Sequence, residues 1–266
     1  MLALATTAVV FIGAGCSNGD SGDAASAPTR LTVRVVAAYP HDSTSFTQGF
    51  EIDDGRLIEG TGLVGRSRVT ATDLVSGAVL ADAELPEPFF GEGLTVATGA
   101  TPPVLWQLTW QNGTAIKRDP ATLAELGRVD YDKEGWGICD LGDGRVITSD
   151  GTSTLTFRDP NTLAALDSVE VRRVDKPVTQ LNELECTPDG VYANVWQTNF
   201  IVRIDPSTGD VTAVIDASTL QSQLGPDGAG ADVLNGIAAI PDSPNLLLTG
   251  KLWPTMFEVA LEPARG

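Results

Sequence analysis

Short runs of alternating apolar and polar residues fill most of the chain, separated by breaks rich in Asp, Pro and Gly. The first such run is LTVRVVAA at 31–38. The pattern is clearest between Trp136 and Val171. There the runs Trp136 to Cys139, Arg145 to Ser149, Thr154 to Arg158 and Ala165 to Val171 are divided by Leu141-Gly142-Asp143-Gly144, Asp150-Gly151 and Asp159-Pro160-Asn161-Thr162. A period of two predicts strands, and the dividers predict tight turns. The next stretch repeats the scheme around Pro188-Asp189-Gly190, with Tyr192 to Trp196 and Ile201 to Asp205. Segments 237–240, 245–251 and 256–261 give only three strands near the end. The stretch 217–233 breaks the pattern, and Leu220 to Leu224 predicts a short helical turn.

The strands fall into a longer repeat. TQGFEI at 47–52, GEGLTV at 91–96, GWGICD at 135–140, NELECT at 182–187 and LNGIAA at 234–239 are variants of one leading turn. Their central residues, Gly49, Gly93, Gly137, Leu184 and Gly236, are spaced by 44, 44, 47 and 52. An Asp-led turn follows each of the first four, at Asp73, Asp119, Asp159 and Asp205. A period in the forties with four short strands per unit predicts an all-β, five-bladed β-propeller over residues 31–266. Because the fifth unit is one strand short, the N-terminal strand is expected to complete the last blade beside Met256 to Leu261. That closure removes an exposed edge.

In such a ring the leading turns converge on one axis, so residues that differ among them are candidates for a shared site. Those residues are Gln48, Glu92, Trp136, Asn182 with Glu183, and Asn235. The second strands add Glu59, Trp110-Gln111, Ser149-Asp150, Trp196-Gln197 and Lys251, and Trp253 falls in the same ring. Indole walls with a few amides and a carboxylate suit a small amphipathic ligand. Packing between blades is the alternative for each Trp, and turn geometry the alternative for Asn235. Glu92 stands between Gly91 and Gly93, which weaken the strand and would leave its carboxylate bare in a tight turn. Lys251 is either an ion-pair partner for an axial carboxylate or a donor to a substrate carbonyl.

Composition narrows the function. The net charge of −18 argues against nucleic acid as a partner. The sequence has one histidine, His41, and three cysteines, which makes a zinc site or a Ser-His-Asp triad hard to assemble. Residues 1–15 are apolar and too short to span a bilayer, as expected of a signal segment. Gly13-Ala14-Gly15-Cys16 resembles the lipoprotein cleavage box, in which Cys16 would carry the lipid; cleavage nearby with secretion is the alternative. Residues 16–30 read as a flexible tether. The expected location is therefore outside the cytoplasm, either secreted or lipid-anchored to the outer face of a bacterial membrane. Cys139 and Cys186 occupy matching positions of adjacent units, as a disulfide or as two small buried apolar residues.

The segments FTQGF (46–50), EGTGLVGRS (59–67), FFGEGLTV (89–96), LTWQN (108–112), EGWGICDLGDGRVITSDGTSTL (134–155), LNELE (181–185), ANVWQTNFIVRID (193–205), DVLNGIA (232–238) and TGKLWP (249–254) together resemble the plant and bacterial type of glutaminyl-peptide cyclotransferase. The likeness runs from about Tyr39 to Leu261. It departs at Gly60, at Glu134 (where Asp is common) and at both Cys positions. The resemblance implies cyclisation of N-terminal glutamine on peptides to pyroglutamate, with release of ammonia and with no metal or other cofactor. It makes Glu92 the proton carrier. Gln48 and Asn182 become amide donors to the carbonyl, and Phe46, Phe90, Trp110, Trp136 and Trp196 the walls. Glu59 and Lys251 are further candidates for substrate binding, and a single subunit suffices. The rival is a propeller that binds peptides or proteins without turnover.

Overall fold

The computed structural model describes residues 27–264. The signal segment 1–15, Cys16 and most of the tether lie outside them. Strand β1 (Thr29–Pro40) begins two residues before the sequence run, inside the span expected to be tether. One four-stranded sheet holds β2 (Thr47–Asp53), β3 (Arg56–Thr61), β4 (Arg68–Asp73) and β5 (Val79–Glu84). A second holds β6 (Gly91–Ala97), β7 (Val104–Thr109), β8 (Thr114–Arg118) and β9 (Glu125–Asp130). A third holds β10 (Ile138–Asp140), β11 (Val146–Thr148), β12 (Thr154–Arg158) and β13 (Ala165–Glu170). A small hairpin, β14 (Arg172–Arg173) and β15 (Lys176–Pro177), had no signal in the alternation because it is two residues a side.

The remaining strands are β16 (Leu181–Thr187), β17 (Gly190–Val195), β18 (Phe200–Ile204), β19 (Val211–Asp216), β20 (Leu234–Ala239), β21 (Leu246–Gly250) and β22 (Thr255–Pro263). With β1 they form one eight-stranded sheet in the order β16-β17-β18-β19-β1-β22-β21-β20. β1 lies antiparallel to β22, with Val33 opposite Leu261 and Tyr39 opposite Met256, as the missing strand required. It also pairs in parallel with β19, from Thr29 opposite Ala213 to Thr32 opposite Asp216. Sequence patterning carried no signal of that second pairing. A short helix (Ser218–Gln221) and a 3-10 turn (Pro226–Gly230) occupy the stretch that broke the pattern.

The first strands β2, β6, β10, β16 and β20 touch in that cyclic order, and β20 returns to β2. Burial follows this arrangement. All seven residues of β6 are buried, whereas β5, β9 and β13 are largely exposed with half-buried positions between. The core lies between neighbouring sheets, for example Ile58, Val69, Leu94, Leu105 and Ile116. The Asp-led turns close the outer hairpins as the sequence suggests. Asp119 Oδ1 accepts from the backbone N–H and hydroxyl of Thr122, both at 2.8 Å, and Asp159 treats Thr162 likewise at 2.9 Å.

Candidate active site

The site residues are placed by irregularities in the first strands. Register shifts fall between Thr47 and Gly49, Gly91 and Leu94, Leu181 and Leu184, and Leu234 and Ile237. Gln48, Glu92, Asn182 and Asn235 therefore all sit in β-bulges, which re-aim side chains and are common beside active sites. The glycines around Glu92 act differently from the sequence expectation. They lie within β6 and permit close approach of neighbouring strands. A Cβ on Gly91 would stand 2.6 Å from Thr61 O, and one on Gly93 would stand 2.5 Å from Trp136 O. The Gly93 N–H donates to that same Trp136 carbonyl at 2.8 Å.

Glu92 is 5% exposed. Burial pushes its carboxyl well above the usual carboxylate range, Lys251 opposes this, and Glu134 adds to it. Gln48 Nε2 donates to Glu92 Oε1 at 3.2 Å. The Gln48 amide is itself oriented by Asn235, whose Nδ2 donates to Gln48 Oε1 at 3.3 Å and to Thr47 O at 3.0 Å. Asn235, weighed in the sequence as a turn residue, thus fixes which end of Gln48 faces the carboxyl. Lys251 is buried, and desolvation lowers its pKa against the pull of Glu92 and Asp232. Its ammonium lies 4.7 Å from the centroid of the Phe46 ring. Asn182 is buried, and its Oδ1 has no partner among the described residues. Its backbone carbonyl accepts from Ser149 Oγ at 2.7 Å.

The aromatic residues form two linked groups. Phe46 meets Phe90 edge to face at 6.1 Å, and Phe90 meets Trp110 at 5.7 Å. Trp136 meets Trp196 at 5.5 Å. Burial separates wall from core among the five indoles. Trp110 is 39% exposed and Trp136 and Trp196 are half-buried, whereas Trp106 and Trp253 are completely buried. Trp253 is therefore core, contrary to its expected place in the ring. Leu252 takes a left-handed backbone (φ 60°), which folds the chain back after Lys251. The Trp253 indole then packs on Gly250 and Phe257 and donates to Asp232 O at 2.8 Å.

Glu59 is not joined to Glu92 or Gln48 by any hydrogen bond among the described residues. Its carboxylate accepts from Thr47 Oγ1 at 2.7 Å and Ser45 Oγ at 3.2 Å, and faces His41 Nε2 at 3.1 Å. His41 Nδ1 is 2.7 Å from Trp253 O, which can only accept, so that nitrogen carries a proton. Burial pulls the His41 pKa down, but Glu59, the Trp253 carbonyl and Asp42 together raise it, for a net rise. The one histidine is thus engaged on both nitrogens. The structure joins Cys139 and Cys186 in a disulfide between β10 and β16, with Cα atoms 5.5 Å apart. Glu134 stood in the sequence only as a departure from the family's usual Asp, yet it accepts from the wall indoles of Trp110 and Trp136 and from Gln111. A separate cavity of about 870 Å³ lies away from Glu92, between the β14–β15 hairpin and the strands around Phe200 and Leu31.

A buried carboxyl of raised proton affinity and a buried lysine thus lie with a set of aromatic rings on an all-β ring of sheets, as a candidate site. A profile of the glutamine cyclotransferase family matches residues 7–261. The glutaminyl-peptide cyclotransferase of Arabidopsis thaliana is 39% identical over 236 residues, which span 87% of this chain and 72% of that protein. The crystal structure of Myxococcus xanthus glutaminyl cyclase aligns with a TM-score of 0.79 at 36% identity, covering 90% of this chain and 100% of that one. The chain belongs to the glutamine cyclotransferase family. It is an acyltransferase of the glutaminyl-peptide cyclotransferase type.

Proposed function

We propose that the protein converts N-terminal glutamine of peptides and proteins to pyroglutamate, with Glu92 as a single proton shuttle and without a catalytic metal. The neutral α-amine of the substrate attacks its own γ-carboxamide carbon, and the C–N bond to the amide nitrogen breaks. Glu92 takes the proton from the attacking amine and returns it to the departing nitrogen, which leaves as ammonia. Both partners belong to one residue, so the task of the site is to fold its side chain back toward the α-amine and exclude water. The observation that carries this reading is a buried carboxyl of raised proton affinity, held by Gln48 and faced by Lys251. The second Nε2–H of Gln48 and the amide of Asn182 are the donors assigned to the developing oxyanion. Phe46, Phe90, Trp110, Trp136 and Trp196 enclose the methylenes. Glu59 supports the floor through Thr47, the neighbour of Gln48.

Zinc-free chemistry is supported by the donor set, since His41 is held by Trp253 O and Glu59. Incubation with a Gln-initiated dipeptide should yield a product lighter by one ammonia, at a rate unchanged by chelator. Binding without turnover would favour the non-catalytic rival, and a metal-restorable loss would reject the metal-free reading. The same proposal includes a five-bladed ring, supported by the cyclic contacts of β2, β6, β10, β16 and β20. It includes a monomer with no nucleic-acid partner, supported by a site built from one chain and by the charge of −18. It includes lipidation at Cys16 and a place outside the cytoplasm, supported by the apolar run before Cys16 and by the disulfide. A mature N-terminus without lipid mass would remove the anchor.

A further inference from the structure

Glu134 lies half-buried between β9 and β10, where the two groups of aromatic residues meet. Its Oε2 accepts from Trp110 Nε1 at 3.0 Å and from Trp136 Nε1 at 3.2 Å. Its Oε1 accepts from Gln111 Nε2 at 2.8 Å. Trp110 and Gln111 follow β7, whereas Trp136 precedes β10, so one carboxylate ties together elements of two sheets. An indole N–H can only donate, and an ionised carboxylate can only accept, so this acceptor can serve both rings without a competing donor. Through it the wall becomes continuous from Phe46, Phe90 and Trp110 to Trp136 and Trp196.

The charge of Glu134 is not cancelled by its sequence neighbour. Lys133 pairs with Asp150 at 2.8 Å. That pair, Glu134, Trp136 and Gln180 line a cleft of about 470 Å³ beside the wall. Two charged groups act on Glu92: Lys251 favours its ionised form and Glu134 opposes it, while Asp232 acts on Lys251. Glu134 thus has two separable attributes, a hydrogen-bonding geometry and a sign.

We propose that Glu134 is a positioning residue for the cyclisation, clamping Trp110 and Trp136 at the mouth of the site and setting a fixed negative charge against the acid–base group behind them. The inference rests on the proposed reaction. Glu134→Gln isolates the charge. The carbonyl oxygen of the new amide can accept from both indoles, and Gln111 can turn its own amide to accept from the new NH₂. Glu134→Ala removes clamp and charge together.

The test is the pH profile of kcat at saturating Gln-initiated dipeptide, where ionisation of free substrate drops out, together with KM and the near-ultraviolet circular dichroism of the indoles. In Glu134→Gln the acid limb should move to lower pH, because a like charge near Glu92 is gone, with KM within about twofold of the parent. In Glu134→Ala, KM should rise about tenfold as the indole wall loosens around the substrate, and the indole dichroism should weaken. Superimposable pH profiles for parent and Glu134→Gln would overturn the electrostatic half. Unchanged KM and dichroism in Glu134→Ala would overturn the clamp. If the parent itself does not turn over the dipeptide, the proposed reaction fails. The dichroism comparison still decides the clamp in that case.

Discussion

At the scale of single residues, the proposed reaction turns on the proton affinity of Glu92. Its folded pKa is raised by burial, so the carboxyl is protonated at low pH and cannot accept the amine proton. Turnover should therefore rise with pH as Glu92 ionises. Glu92→Gln keeps the shape and removes the shuttle. Turnover of the dipeptide should fall by roughly 10²–10⁴, with peptide binding retained and a melting temperature no lower than the parent's. A variant with parental kcat would take Glu92 out of the mechanism. Part of this candidate site was legible in the sequence, because Gln48 and Glu92, which the structure joins, are exceptions within a repeat, as are Trp136 and Asn182. What was not legible depends on side-chain partners. Glu59 and Glu92 look alike as strand carboxylates, and only the structure gives Glu59 its bonds to Thr47, Ser45 and His41. Trp253 follows Lys251 closely in sequence, but the left-handed turn at Leu252 sends it into the core. Glu134 had no periodic signature, since its significance is three donors that converge from separate segments.

At the scale of elements, the bulged first strands connect the repeat to the chemistry. Glu92 is aimed by a bulge that fits because Gly93 lets β6 lie against the Trp136 carbonyl. The contact is with backbone, which cannot swing aside as a side chain can. Gly93→Ala should cost about 1–3 kcal/mol, the usual range for overpacking a close contact, and should lower kcat by displacing Glu92. Gly127→Ala in the outer strand β9 is the control, since a Cβ there meets nothing within 4 Å and the backbone is not left-handed. Equal melting temperatures for the two variants would refute the close-approach account. The strands themselves were readable from alternation, and the Asp-led turns from their residue types. The bulges were not, because register is a property of two strands together, and the β14–β15 hairpin is too short to show a period.

At the scale of the whole molecule, the carboxyl groups of the buried Glu183 and Glu185 and of the half-buried Glu51 cross between first strands. Glu51 Oε1 accepts from Val96 N at 3.0 Å, Glu183 Oε2 from Ile237 N at 2.9 Å, and Glu185 Oε1 from Ala239 N at 3.1 Å. Burial pushes Glu51 up to about 7 and raises Glu183 and Glu185 well above the usual range, and the carboxyls repel one another when ionised. Between pH 4.5 and 7 the folded state holds more protons than the unfolded chain, so this contribution to stability is complete at low pH and is lost as pH rises. Each such group contributes a slope of at most about 1.4 kcal/mol per pH unit. Calorimetry should show a melting temperature that falls from pH 5 to pH 8, and Glu51→Gln should flatten the decline. An identical slope in that variant would exclude Glu51 as a source. The outline of this ring was legible in the sequence down to the antiparallel partner of β1, though not its parallel contact with β19. That double pairing sets a timetable for biosynthesis. β1 leaves the ribosome first, but its partner β22 begins about 215 residues later. At ordinary elongation rates of ~5–20 residues per second, the first strand made waits tens of seconds for its place. Its parallel partner β19 comes about 170 residues on, so until then β1 has neither neighbour, and after that the edge meant for β22 alone stays open.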